Sequence, residues 1–258
     1  MPVIPGRRRR SRRSEMSLIE HLNELRRALV ISMITIAVLA VTGFVFYDRI
    51  IEFLAGPYQQ AIQSLPPGSR PPGSLGRGLI TLSPTEPFVT FLKVGFFVGF
   101  LLALPVVLWQ LWRFITPGLT KRERRFAVPF VASSVVLFAG GTLLAFYVVP
   151  KGLGFLLSFG GENVTTLLTA ERYLNFLIFL ILGFGLSFEF PLLLIFLASA
   201  RIVTSRQMWG WRRYVYFGSL VFAAIITPTQ DPYTLLLMWV PLIVLYEGSV
   251  LVARLMKR

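Results

Sequence analysis

The stretch that decides the fold is "ALVISMITIAVLAVTGFVFY", Ala28–Tyr47. It contains no charged residue, and about 20 apolar residues are what a helix needs to cross the hydrocarbon of a bilayer. It is longer than the roughly 7–15-residue apolar core of a secretory leader, and no small-x-small cleavage site precedes Asp48. It therefore reads as a retained first span. Comparable runs follow at Pro87–Trp112, Phe126–Pro150, Tyr173–Ala200, Tyr214–Gln230 and Pro232–Ala253, broken only by Lys93, Glu189 and Glu247.

Composition agrees. The 258 residues are 55% hydrophobic and 15% charged, against about a quarter charged in a soluble domain. Cysteine is absent, which removes disulfide, thiol and Cys-metal chemistry. The expected fold is an all-α integral membrane protein with six transmembrane helices. Spans are expected near 28–47, 88–112, 126–149, 173–199, 214–230 and 232–250, within one membrane domain over residues 17–258. Residues 1–16 read as a disordered basic tail near anionic headgroups. Pro105, Pro129, Pro191 and Pro241 each remove a ladder hydrogen bond and are expected to bend their helices into a curved, concave bundle.

The net charge of +14 invites a nucleic-acid reading, but its distribution does not. With the N-terminus inside, 20 of the 26 Lys and Arg fall on the inner side, the asymmetry of the positive-inside rule. Both termini are expected in the cytoplasm, with no nucleic-acid partner.

Between spans, Ser17 and Glu20 have capping-box spacing for a short amphipathic helix. Asp48–Leu65 can form a short helix on the outer surface. "LPPGSRPPGSLGRG" (Leu65–Gly78) is a flexible insertion, and Pro87 suits a first helical turn. Gly95 and Gly99 in "GFFVG" give a small-xxx-small face for close helix approach. The last two spans are short: 17 residues separate Arg213 from Asp231, and 15 separate Asp231 from Glu247. Such spans favour bilayer thinning or association with other helices.

Catalysis has little to work with. The one histidine, His21, has no Cys or acid cluster to complete a triad or metal site, and no phosphate-cradling P-loop is present. Neither cofactor nor metal is expected. The acids remain. Glu24, in "IEHLNELRRALVIS" (Ile19–Ser32), and Glu123, in "LTKRERR" (Leu119–Arg125), are carboxylates in strongly cationic surroundings. Each can serve as a charge-balancing surface ion pair or as one half of a pocket for a cationic ligand, with guanidinium the natural bidentate partner. Glu189, in "LSFEFPLLL", falls within a span, where a charge costs on the order of 3 kcal/mol. It must face a cavity, a polar partner or a proton.

"HLNELRRALV", "SPTEPF", "LPVVLWQLWRFITPGLTKRERR", "FEFPLLL" and "TPTQDP" occur in an order and spacing that resemble the TatC family, the polytopic subunit of the twin-arginine protein translocase. The resemblance covers about residues 17–252. It implies that Glu24 and Glu123 form the recognition site for the paired arginines of a signal peptide, with Arg26 and Phe114 nearby. It implies that Glu189 is an intramembrane polar site on a concave face, and that Pro57 in "LAGPY" and Asp231 in "TPTQDP" are functional positions of the outer loop and turn. It also implies transport of folded precursors across the bacterial inner membrane, driven by the proton gradient. The implied partners are twin-arginine signal peptides, small single-span TatA- and TatB-type subunits, further copies of the chain and the bilayer. The rival from another class is a secondary transporter of a small solute, which would be expected to show an internal repeat; no three-plus-three repeat is visible.

Overall fold

The structure is a computed structural model that describes residues 18–65, 79–115, 127–158, 168–199, 201–227 and 232–256. Among these it is helical: α1 Leu18–Val45, α2 Tyr47–Ser64, α3 Glu86–Ile115, α4 Ala127–Ser158, α5 Ala170–Ser199, α6 Ser205–Ile226 and α7 Pro232–Leu255. A single parallel bridge, Ile80 to Thr169, with the Ala170 N–H donating to the Ile80 carbonyl at 2.8 Å, ties the approach to α3 to the start of α5.

Five helices, α1, α3, α4, α5 and α7, are long and apolar enough to cross a membrane. The sixth expected span falls on α6, which does not join them. Arg206, Arg212 and Arg213 occupy its first half, so only its second half is continuously apolar. The polar turn around Glu20 and the first span form one unbroken 28-residue helix, and the cap expected at Ser17 lies outside the described residues. α4 continues through Pro150 to Ser158, converting eight residues expected in a loop into helix. Pro129 is the third residue of α4, where a missing N–H costs nothing. Pro105, Pro191 and Pro241 do lie inside helices.

The helices alternate in direction. At one end His21 of α1 stacks on Phe114 of α3, and Trp112 of α3 packs on Phe130 of α4 with centroids 4.4 Å apart. Phe196 of α5 closes that cluster. The Tyr246 hydroxyl of α7 donates to the Met208 carbonyl of α6 at 2.5 Å. We call this the Glu24 end. At the opposite end Tyr173 of α5 donates to the Leu54 carbonyl of α2 at 2.6 Å, and its ring lies against Tyr58. The short helix expected over Asp48–Leu65 is present as α2, and it buries Leu54, Pro57, Tyr58, Ala61 and Ile62.

Glycine makes the α1–α3 contact possible. A Cβ on Gly99 would stand 2.6 Å from the Ile36 carbonyl oxygen and 2.7 Å from the Ala40 nitrogen; one on Gly43 would stand 2.7 Å from the Gly95 carbonyl oxygen. These are backbone-to-backbone approaches that only glycine admits. α5 is the central helix, burying thirteen residues from Ala170 to Ala198. Leu174, Leu177, Leu180, Ile181 and Phe184 form the middle of the main core. A second cluster at the Glu24 end joins Leu194, Ala198, Val203, Met208, Tyr246 and Val250.

Candidate functional site

The glycine contact fixes how α1 and α3 slide past one another, and so which residues meet at their ends. His21 and Phe114 meet there, with ring centroids 4.3 Å apart and planes 19° from parallel. Glu24 lies three residues after His21, which places it on the same helix face, one turn further along. Its carboxylate is drawn inward: Oε2 is buried and has no hydrogen-bond partner among the described residues. A buried acceptor left unpaired costs about 1–3 kcal/mol, more when charged. A donor arriving from outside would recover that cost.

Arg26 does not share this face. It is exposed, and residues two apart on a helix point in different directions, so the structure separates it from Glu24. Glu123 and Asp231 lie outside the described residues. Pro57 is buried within α2 at the opposite end, on a helix that packs against α4 and accepts a hydrogen bond from Tyr173 of α5.

Glu189 stands apart from Glu24. It sits ten residues before the end of α5, half-buried, with Oε1 enclosed and lacking a hydrogen-bond partner among the described residues. The side chain that interacts with it is the buried Ser134 hydroxyl of α4. Pro191 removes the N–H that would bond to the Ser187 carbonyl, so the backbone beside Glu189 is also short of one partner. The arrangement is a polar spot inside an apolar helix pair, of the kind that marks a contact or pathway in membrane proteins.

Two features exceed the sequence reading. His21, read as an interfacial residue without chemistry, is the partner of Phe114; the His-x-x-Glu spacing was the available signal. Glu247, read as the end of an apolar run, pairs with Arg212 of α6 and accepts from the Tyr216 hydroxyl at 2.5 Å. Elsewhere Lys93 pairs with Glu171 at 2.6 Å and donates to Asn175 at 3.0 Å, linking α3 to α5 at the end opposite Glu24.

Residues 20–241 match the family model described as Sec-independent protein translocase protein (TatC). The chain belongs to the TatC family. The TatC protein of Frankia casuarinae is 40% identical over 95% of this chain and 67% of its own length. That of Aquifex aeolicus is 38% identical over 94% of this chain and 97% of its own length. Among solved structures, one described as the crystal structure of the twin-arginine translocase receptor TatC matches with a TM-score of 0.75 at 37% identity, covering 93% of this chain and all of that one. The TatC family comprises translocase components of the membrane, and this member is a component of twin-arginine protein transport rather than an enzyme.

Proposed function

We propose that this chain is the receptor of a twin-arginine system, in which Glu24 and Glu123 each take one guanidinium of the arginine pair on a leader peptide. The observation that carries the reading is the inward Oε2 of Glu24, without a hydrogen-bond partner among the described residues, beside the His21–Phe114 stack. A carboxylate with a free oxygen and a flat aromatic neighbour suits a planar guanidinium, which binds carboxylates through paired N–H groups and stacks on rings. The chain tether supports the second half of the site. Glu123 stands four positions before Ala127, and a chain of that length reaches at most about 14 Å from the start of α4. That start carries Phe130, packed on Trp112 in the same last turns of α3 that hold Phe114. The cations around Glu123, Lys121, Arg122, Arg124 and Arg125, repel unpaired cations.

In this reading the Glu24 end faces the cytoplasm, as the 20 of 26 Lys and Arg on that side support. Both termini lie there, and α6 acts as a short sixth span in the bacterial inner membrane. Its charge-free part, from Tyr214 to Ile226, covers only about 20 Å, so the bilayer thins beside it or another helix covers it. Glu189, on the concave face of a bundle curved at its prolines, offers a polar contact to the leader peptide or to TatA- and TatB-type helices. Arg26 contributes positive charge to the rim of the site. Asp231 shapes the outer turn between α6 and α7, and Pro57 holds the outer-loop helix. Several copies assemble, and folded cargo crosses at the expense of the proton gradient.

The test is export of a twin-arginine reporter in cells carrying Glu24→Lys or Glu123→Lys. Both variants are expected to insert at normal levels and to block export. Normal export by both charge reversals would refute the assignment.

A further inference from the structure

We propose an anion site, separate from the guanidinium site, at the Glu24 end in the cleft between α6 and α7, that holds the phosphate of an anionic phospholipid headgroup. The cleft has a volume of about 310 Å³ and is lined by Trp209, Arg212, Glu247, Val250, Leu251 and Arg254. The Arg212 guanidinium lies over the Trp209 ring at 3.4 Å from its centroid, and that of Arg254 lies 5.1 Å from the same ring. Two like charges from different helices thus converge on one indole.

The local charge does not balance. Glu247 is the carboxylate of the cleft, and both of its oxygens are taken, Oε2 by Arg212 and Oε1 by the Tyr216 hydroxyl. Arg254 makes no ion pair among the described residues, and the Arg212 Nε is buried without a hydrogen-bond partner. Two guanidiniums against one carboxylate leave a single positive charge. A phosphodiester carries a single negative one and offers oxygens to several N–H donors at once.

The setting favours a lipid over a free ion. Trp209, Trp211 and Tyr214 are 48%, 45% and 62% exposed, and Arg213 donates to the Tyr214 hydroxyl at 3.0 Å. With α6 as the short sixth span proposed above, exposed Trp and Tyr among Arg residues at its polar start mark the headgroup level. Val250 and Leu251 supply an apolar wall for the glycerol and first methylenes. The site is independent of Glu24, and its phosphate would pin the Arg-rich half of α6 to α7.

The test is native mass spectrometry of the delipidated full chain, titrated with phosphatidylglycerol, with phosphatidylcholine, and with phosphatidylglycerol in the presence of inorganic phosphate. The first equivalent of phosphatidylglycerol is expected to bind about tenfold more tightly than phosphatidylcholine, a difference of about 1.4 kcal/mol. Arg254→Gln is expected to erase that preference, and Arg213→Gln, outside the cleft, to keep it. Should Arg254→Gln not fold, Trp209→Leu leaves the Arg212–Glu247 pair in place and is expected to lose the preference too. Unchanged preference in the folded cleft variant overturns the proposal, as does equal loss in Arg213→Gln. Displacement of the lipid by inorganic phosphate at equal concentration overturns the lipid assignment.

Discussion

The His21 imidazole lies nearly flat on the Phe114 ring, with centroids 4.3 Å apart, so the first turns of α1 are tied to the last turn of α3. This contact orients the helix face that carries Glu24. Aromatic pairs of this kind contribute about 0.5–1.5 kcal/mol beyond burial. That is enough to fix a terminal turn and too little to decide the fold.

Phe114→Ala is therefore expected to leave the melting temperature of the detergent-purified protein nearly unchanged while weakening capture of a twin-arginine peptide several-fold. Phe114→Tyr is expected to restore capture. Peptide affinity by fluorescence anisotropy checks both.

Glu189 should show the opposite balance between stability and function. Its enclosed oxygen lacks a hydrogen bond among the described residues, and replacing an unpaired polar group by an apolar one of similar size removes a cost of about 1–3 kcal/mol. Glu189→Leu is expected to raise thermal stability and to lower reporter export. A destabilised protein with normal export would show that the carboxyl only braces α4 and α5.

The α1–α3 seam gives a packing prediction. Gly99→Ala places a methyl 2.6 Å from a backbone oxygen and is expected to cost about 1–3 kcal/mol, read as a fall in melting temperature and in peptide capture together. Gly140→Ala, whose new Cβ meets only Phe188 at 3.8 Å, is expected to be neutral or stabilising by up to about 1 kcal/mol, the helix-propensity gain.

Arg201 follows α5 with φ of 60°, and its neighbour Ile202 donates back to the Leu197 carbonyl at 3.0 Å, a left-handed helix stop. A left-handed residue with a Cβ costs about 1–2 kcal/mol. Arg201→Gly is expected to raise the unfolding midpoint without altering export.

Much of this molecule can be read from its residues. Charge-free runs located the apolar helices, Pro87 the entry into α3, and "GFFVG" the close contact of α3 with α1. α6 was harder, because its Arg and Trp residues belong to a helix whose polar half pairs with α7, and a charge in sequence reads as a boundary. Pro150 misled similarly: neighbours can support a proline inside a membrane helix, and only the packing of α2 against the end of α4 reveals that the helix continues. The capping box of Thr204 with Gln207 is legible in "TSRQ", whose Thr and Gln have the required three-residue spacing. At the site, Glu24 and Phe114 were named from motifs, while their link through His21 required the register that Gly95 and Gly99 set. Arg26 was named with them, but a two-residue spacing turns it away.

The most direct measurement is the affinity of the purified protein for a twin-arginine leader peptide and for its double-lysine counterpart, repeated with Glu24→Gln and Glu123→Gln. The account predicts that wild type prefers the arginine pair, and that each glutamine costs about 1.5–3 kcal/mol, a charge-assisted hydrogen bond. That is roughly a ten- to 150-fold loss, and the preference for arginine over lysine goes with it. Equal affinity for both peptides in wild type, or unchanged binding when both carboxylates are neutralised, would contradict it.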